Sequence, residues 1–325
     1  MRKRVYMMAG AALMAAMLVM GCGGKNEDNA DNNTEAAENQ SSETVTITDA
    51  KGEVEIPANP QRIVDISGTS DILSILGYKV AGTANSDAYD YTRFPTYLEE
   101  VLDGVEILGY SMQDTMDVEG ILALDPDLII ISNVQEKMYD QLSEVAPTVM
   151  LEMAQMDWKD DVNNVAAVMD KEEEAEAWLA DYAVKAQEAG DRIKTAYGDD
   201  ATYLSFLASG GQIFIFDGAG LGSIFYEDMA LAKPANMPEQ ENISLPVVTY
   251  EGLAEIDPDY IFVVGTDDDL EALEGNSLWQ GMNAVKEGNY VTLLASPYFN
   301  QGYSCIGRDL FLDEVEGYME QMNEN

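Results

Sequence analysis

The sequence predicts an α/β protein of two lobes, each built on a mainly parallel sheet, the two joined by a single long helix. Three observations carry this. Residues 117–132 (DVEGILALDPDLIIIS) have an echo at 249–265 (TYEGLAEIDPDYIFVVG). With Glu119 set on Glu251, both copies read E-G, four mostly apolar residues, D-P-D, then a β-rich run. Copies 132 residues apart signal two similar lobes rather than a solenoid, whose periods are roughly 20–50 residues. Each copy predicts a short helix stopped before its proline, then a strand apolar on both faces, as a covered parallel sheet requires. Between the copies, residues 171–197 place Ala175, Trp178, Leu179, Tyr182, Ala186, Ala189 and Ile193 on one helical face, with acids at the start and Arg192 and Lys194 near the end. Such a helix would run roughly 40 Å, enough to cross from one lobe to the other.

Taken in order, the chain opens on MRKRVYMMAGAALMAAMLVMGC. Three basic residues precede an apolar stretch, 5–20, that is short for a membrane span of about 20 residues. Val19-Met20-Gly21-Cys22 resembles a bacterial lipoprotein cleavage box, so residues 1–22 are expected to be a signal peptide ending at a lipidated Cys22. Residues 23–43, rich in Asn, Asp, Glu and Ser, have no apolar period and are expected to be a disordered acidic tether. An N-terminal lobe is expected over 44–170. It opens with alternating runs around 50–52, which signal a hairpin. A buried strand at 62–66, a helix at 72–76 closed by Gly77, strands at 79–82 and 105–109, the first repeat copy and a strand at 148–151 follow. After the bridging helix at 171–197, a C-terminal lobe is expected over 198–325. Its strands fall at 202–207, 212–216 and 290–294, with the second repeat copy between. A loop is expected at 295–303 and a final helix from about Cys305 to Met322, with Leu310, Phe311, Val315, Tyr318 and Met319 as its apolar side.

Composition removes several functions. The chain has 17 Lys+Arg against 60 Asp+Glu, a formal −43, so nucleic acid, which needs a basic surface, is excluded as a partner. There is no histidine. That excludes Ser-His-Asp and Cys-His catalysis and disfavours a bare transition-metal site. Once Cys22 is lipidated only Cys305 remains, so no internal disulfide can form. The glycine-rich turn 217–222 (DGAGLG) lacks the lysine and spacing of a phosphate loop.

A lipoprotein box, an acidic tether and two lobes on one long helix together resemble the substrate-binding proteins of ABC importers. The resemblance is to the long-helix class that serves ferric siderophores, haem or cobalamin. It rests on IPANPQRIVDIS (56–67), the first repeat copy, YDQLSEVAPTV (139–149), YEGLAEIDPDYIFVV (250–264) and LWQGMNAVKEGNYVTL (278–293). The last two look most like the ferric-hydroxamate branch. The resemblance implies two Rossmann-like lobes with the ligand cleft between them, and no enzymatic activity. It implies a monomer, lipid-anchored on the outer face of the bacterial cytoplasmic membrane, that delivers its ligand to a permease dimer. No resident cofactor or metal is implied, the ligand itself being an Fe(III)-siderophore chelate. In this class one glutamate on each lobe's rim meets arginines of the permease, and by motif these are Glu119 and Glu251. Each also follows a plausible N-cap, Asp117 or Thr249, by two residues, and so would stabilise its helix by roughly 0.3–1 kcal/mol with no partner.

In such a fold the ligand meets loops at the carboxyl ends of the strands. From these loops Ser67, Tyr89, Arg93, Tyr110, Trp158, Tyr298, Phe299 and Tyr303 are the candidate ligand residues. Class members that bind catecholate or citrate chelates use several Arg and Lys, whereas here only Arg93 and Arg308 lie in or beside the cleft loops. Nor does 217–222 carry the arginine of many hydroxamate binders. A neutral or cationic chelate, hydroxamate-type, is therefore expected. Cobalamin or haem are alternatives within the class; an extracytoplasmic enzyme or a sensor-receptor on the same scaffold are the alternatives outside it.

Overall fold

The computed structural model describes residues 43–153 and 157–324, with side chains through Met322. The expected signal peptide, Cys22 and nearly all of the expected tether lie outside the described residues. The first element is a hairpin of β1 (Thr44–Asp49) and β2 (Gly52–Pro57). The Asp49 carboxylate accepts the N–H groups of Lys51 and Gly52 at 2.7 and 3.0 Å and so closes the turn.

Two five-stranded sheets follow. The first holds β3 (Ile63–Asp65), β4 (Val80–Asn85), β5 (Glu106–Tyr110), β6 (Leu128–Ser132) and β7 (Thr148–Leu151), in the order β5-β4-β3-β6-β7 with every pairing parallel. The second holds β8 (Tyr203–Ser209), β9 (Gln212–Phe216), β10 (Val247–Val248), β11 (Tyr260–Gly265) and β12 (Tyr290–Leu294), in the order β10-β9-β8-β11-β12. β8, β11 and β12 run parallel, but β9 is antiparallel to β8 and β10 to β9. This sheet is mixed rather than mainly parallel. Gly210 and Gly211, both at positive φ, turn the chain within two residues, and so short a link can only make a hairpin.

The helices are α1 (Ser70–Ile75), α2 (Val118–Ala123), α3 (Tyr139–Ser143), α4 (Trp158–Met169) and α5 (Glu172–Tyr197). In the second lobe come α6 (Gly220–Ser223), which runs into one π-turn at Ile224–Asp228, then α7 (Tyr250–Ile256), α8 (Asp267–Glu274), α9 (Ser277–Gly281) and α10 (Asn283–Lys286). α11 (Ala295–Gln301) and α12 (Cys305–Glu324) complete the chain. Among the described residues, no helix is long and apolar enough to cross a membrane.

Both sheets are apolar on both faces, and the strand period shows why. Ile63, Leu128, Ile130, Val149 and Leu151 pack into one cluster, while their neighbours Val64, Ile129, Ile131 and Met150 pack into the cluster on the opposite side. In the second sheet Tyr203, Leu207, Phe262 and Val264 face one core, and Leu204, Phe206, Ile261 and Val263 the other. α5 touches both lobes: Ala175 belongs to the first lobe's core, and Tyr182, Ala186, Ala189 and Ile193 to the second's.

The stretch expected as a loop at 295–303 is largely helix. Pro297 lies in the first turn of α11, where its missing N–H costs nothing, and Ser296 before it stays extended. Proline reads as a loop signal, yet at this position it starts a helix.

Candidate functional site

A cavity of about 380 Å³ lies between the two lobes, lined by loops at the carboxyl ends of strands in both sheets. That is within the roughly 300–1,000 Å³ of small-molecule sites. The first lobe's wall is organised by Asp65, the last residue of β3. Its fully buried carboxylate accepts the N–H and hydroxyl of Ser67 at 2.9 and 2.5 Å, the Thr69 N–H at 3.0 Å and the Ser70 hydroxyl at 2.6 Å. Burial pushes this carboxyl above its ordinary range while the serine hydrogen bonds pull it back. The turn 67–69 is thereby held open onto the cavity.

A second tie couples the loops after β5 and β6. Gln135 accepts the Ser132 N–H at 3.1 Å through its side-chain oxygen, and its amide donates to the carbonyls of Ser111 at 2.6 Å and Gln113 at 2.9 Å. On the second lobe, α6 and α11 approach so closely that a Cβ at Gly302 would lie 2.3 Å from the Gly220 carbonyl carbon. Gly220 and Gly222 of the 217–222 turn serve packing, each lying against Phe216, and their chemistry is not that of a phosphate loop.

Of the eight candidate cleft residues, the structure brings five together: Ser67, Tyr110, Trp158, Phe299 and Tyr303 all line the cavity. Three do not line it. Tyr89 stands behind Phe299, edge to face at 5.4 Å. Arg93 turns its side chain, 74% exposed, away to Asp90 at 2.6 Å. Tyr298 faces the second lobe's core, its hydroxyl 2.7 Å from that of Tyr318. Tyr89 and Arg93 lie in a loop and Tyr298 in α11. The directions of Tyr89 and Tyr298 depend on partners far away in sequence, and that of Arg93 on Asp90, three residues before it.

Further residues line the cavity beside these. Met112 and Ile243, one from each lobe, line the cavity while remaining 60% and 62% exposed. They form an apolar rim. Ile243 carries no sequence signal, since it sits in the polar run 239–244. Asp71 and Asp161 also line the wall, and Arg308 is the only lining cation among the described residues.

Arg308 is 3% exposed. It pairs with Asp228 at 2.6 Å, donates to the Ser223 hydroxyl, and lies 4.7 Å from the Trp158 ring centroid. Asp228, its side chain 1% exposed, also accepts Lys159 at 2.9 Å and the Tyr182 hydroxyl at 2.8 Å. Burial and the facing Asp228 push the Tyr182 phenol upward, so it stays a neutral donor. Trp158, Trp178 and Tyr182 form an aromatic cluster at the cavity wall, with centroids 4.9–6.2 Å apart. Among the described residues, no group of three or more Cys, Asp or Glu side chains is placed to hold a metal ion.

Glu119 and Glu251 occupy matching positions in α2 and α7, and both are exposed. The Asp117 side chain caps α2 through the Glu119 N–H at 3.1 Å, and Thr249 caps α7 through the Gly252 N–H at 3.2 Å.

Residues 68–297 match the model of a family described as periplasmic binding proteins. The chain is similar to the iron(3+)-hydroxamate-binding protein FhuD of Bacillus subtilis, at 30% identity over 324 residues, covering 95% of this chain and 98% of that protein. It is also similar to the probable siderophore-binding lipoprotein YfiY of the same organism, at 29% identity over 98% of both chains. Among solved structures, a FhuD fold-family protein from B. subtilis is described as a periplasmic binding protein component of a Fep/Fec-like ferrichrome ABC transporter. It superposes with a TM-score of 0.70 at 27% identity, covering 85% of this chain and 99% of that one.

Proposed function

The chain belongs to the periplasmic binding protein family, and on that premise we propose that it captures an iron-siderophore outside the cell membrane and hands it to an ABC importer. It is a binding protein rather than an enzyme. Its ligand is a neutral or cationic ferric chelate of hydroxamate type, and the protein itself carries no resident cofactor. Cys22 is its lipid anchor on the outer face of the cytoplasmic membrane, and it works as a monomer. Glu119 and Glu251 meet the permease, one from each lobe.

The observation that carries the ligand class is the cavity wall. It is aromatic and apolar, holds the carboxylates Asp71 and Asp161, and offers Arg308 already paired with Asp228. A highly anionic chelate would bury its charge against carboxylates with no free cation to offset it, at a cost of several kcal/mol. The names of the relatives point to iron chelates, and the wall's composition supports the hydroxamate kind.

Trp158 lines the cavity and reports occupancy. Titrating tryptophan fluorescence with ferrioxamine B, ferrichrome, haem and cobalamin should give saturable quenching with a ferric hydroxamate at about micromolar Kd or tighter. A response to haem or cobalamin alone would move the ligand elsewhere within the class. Silence to all four would sink the siderophore reading.

A further inference from the structure

Resting on the siderophore reading, with the cavity as the ligand's site, we propose that Asp87 and Asp71 are positioning residues. These two buried carboxylates of the first lobe anchor a strap of the second, residues 295–305, and so fix the face it turns to the ligand. The strap comprises α11, the turn after it and the first residue of α12. Its Phe299, Asn300, Tyr303, Ser304 and Cys305 all line the cavity. By chain order it is second-lobe structure: Ala295 belongs to that lobe's core, and Tyr298 and Phe299 pack against it. Its far end crosses over. Cys305 is buried in the first lobe's core, and Ile306 packs on the same cluster.

Each carboxylate holds one end of the strap. Asp87, 1% exposed, lies in the loop after β4. One of its oxygens accepts the Tyr89 and Asp90 N–H groups at 2.8 and 3.1 Å, and the other accepts the Ser296 hydroxyl, 209 residues away, at 2.7 Å. The same carboxylate thus shapes the turn that carries Tyr89, whose ring backs Phe299, and grips the strap that carries Phe299. Beside it the Asn300 side-chain oxygen accepts the Ala88 N–H at 2.9 Å. At the far end Asp71 accepts the Ser304 hydroxyl at 2.7 Å and the Cys305 N–H at 3.0 Å. A buried carboxylate is tolerated only when its oxygens are hydrogen-bonded, so neither Asp87 nor Asp71 releases its partners without cost. Phe299 and Tyr303 stand between the two anchors and are held in place from both sides. The ligand then meets an aromatic wall already ordered, and little conformational entropy is lost there on binding.

Asp87 and Ser296 do not themselves line the cavity, so their loss cannot act by direct contact with a ligand. Ser296→Ala removes the donor and leaves the turn after Asp87 intact. Ser296→Thr keeps the hydroxyl on a side chain that suits the extended backbone at 296. Ser296→Ala combined with Asp87→Asn removes the anchor without leaving a bare carboxylate oxygen buried. With the full-length protein, affinities for ferrichrome and ferrioxamine B are read by tryptophan fluorescence and stability by urea midpoints. Hydrogen exchange read by mass spectrometry follows the backbone at 298–305. Ser296→Ala and the double variant should both bind the two chelates roughly tenfold more weakly, the reduction expected when the competent arrangement is populated about one time in ten. Both should also exchange faster at 298–305. Ser296→Thr should match the wild type in affinity and exchange. The double variant should regain stability over Ser296→Ala but not affinity, which separates positioning from stability alone. Should Ser296→Ala fail to fold, the double variant carries the same test.

Wild-type affinity in the folded variants overturns the positioning role, and so does affinity that recovers with the urea midpoint in the double variant. Exchange at 298–305 that the loss of the Ser296 hydroxyl leaves unchanged overturns the anchor itself. A wild type that binds neither chelate overturns the siderophore reading instead, and the exchange data still decide whether Asp87 holds the strap.

Discussion

Asp71 shows how much a single residue can carry that its sequence neighbourhood conceals. It sits in the first turn of α1, in the first lobe, yet its carboxylate accepts the Ser304 hydroxyl at 2.7 Å and the Cys305 N–H at 3.0 Å, at the start of α12. It thereby satisfies an orphan N–H at the end of a helix 234 residues away. Burial raises its carboxyl above the ordinary 3.8, with the Ser304 and backbone bonds opposing. The sign of the linkage follows. Below 3.8 both folded and unfolded chains hold the proton. As pH rises above that value the unfolded chain ionises first, so stability falls through the window up to the raised folded value and is level beyond it. Asp71→Asn cannot ionise. Its stability relative to wild type should therefore climb with pH across that window, as read from urea midpoints between about pH 3 and pH 7. A flat difference would show that the carboxyl is not shifted. Cys305 is a free, buried thiol, and its Sγ lies 3.4 Å from the same carboxylate. The sequence could offer the burial but not the partner.

At the scale of elements, the order of strands and helices was largely legible, because apolar period and Gly/Pro punctuation are local. β6 and β11 appear where the two repeat copies put them, and α5 spans Glu172–Tyr197, within a residue of the expected 171–197. What the period could not give was partnership. β9 looked like any buried strand, and only the paired positive-φ glycines before it make it antiparallel. Arg93 lies in a loop and Tyr298 in α11, and both point away from the cavity, because Asp90 and Tyr318 capture them. Helix contacts have the same character. Gly190, inside α5, is there because a Cβ would lie 2.1 Å from the Met229 carbonyl oxygen, which is backbone and cannot swing aside. Gly190→Ala should destabilise by about 1–3 kcal/mol, the usual cost of overpacking, despite the roughly 1 kcal/mol by which alanine favours a helix. Gly317 in α12 is the control. A Cβ there meets nothing within 4 Å, so Gly317→Ala should stabilise by up to about 1 kcal/mol. Equilibrium denaturation of both variants checks the pair, and equal effects would mean that α5 does not press on residue 229.

At the scale of the molecule, the repeat puts one exposed carboxylate at the start of a short helix in each lobe, Glu119 in α2 and Glu251 in α7. Two accounts of them make different predictions. As helix-dipole partners alone, each is worth roughly 0.3–1 kcal/mol, and charge reversal would cost stability without touching transport. As docking groups they act on a partner and are remote from ligand capture, since neither lines the cavity. Glu119→Lys combined with Glu251→Lys should then abolish iron-chelate uptake by cells that depend on this protein, while Kd for the chelate stays within about twofold of wild type. Either single variant should fall between, because half of a two-point contact still orients the lobes on the permease. Uptake assays with radiolabelled iron, run beside fluorescence titrations of the purified variants, separate the accounts. Normal uptake by the double variant would leave the glutamates as helix caps and send the search for the docking surface elsewhere, or toward a sensor in place of a permease.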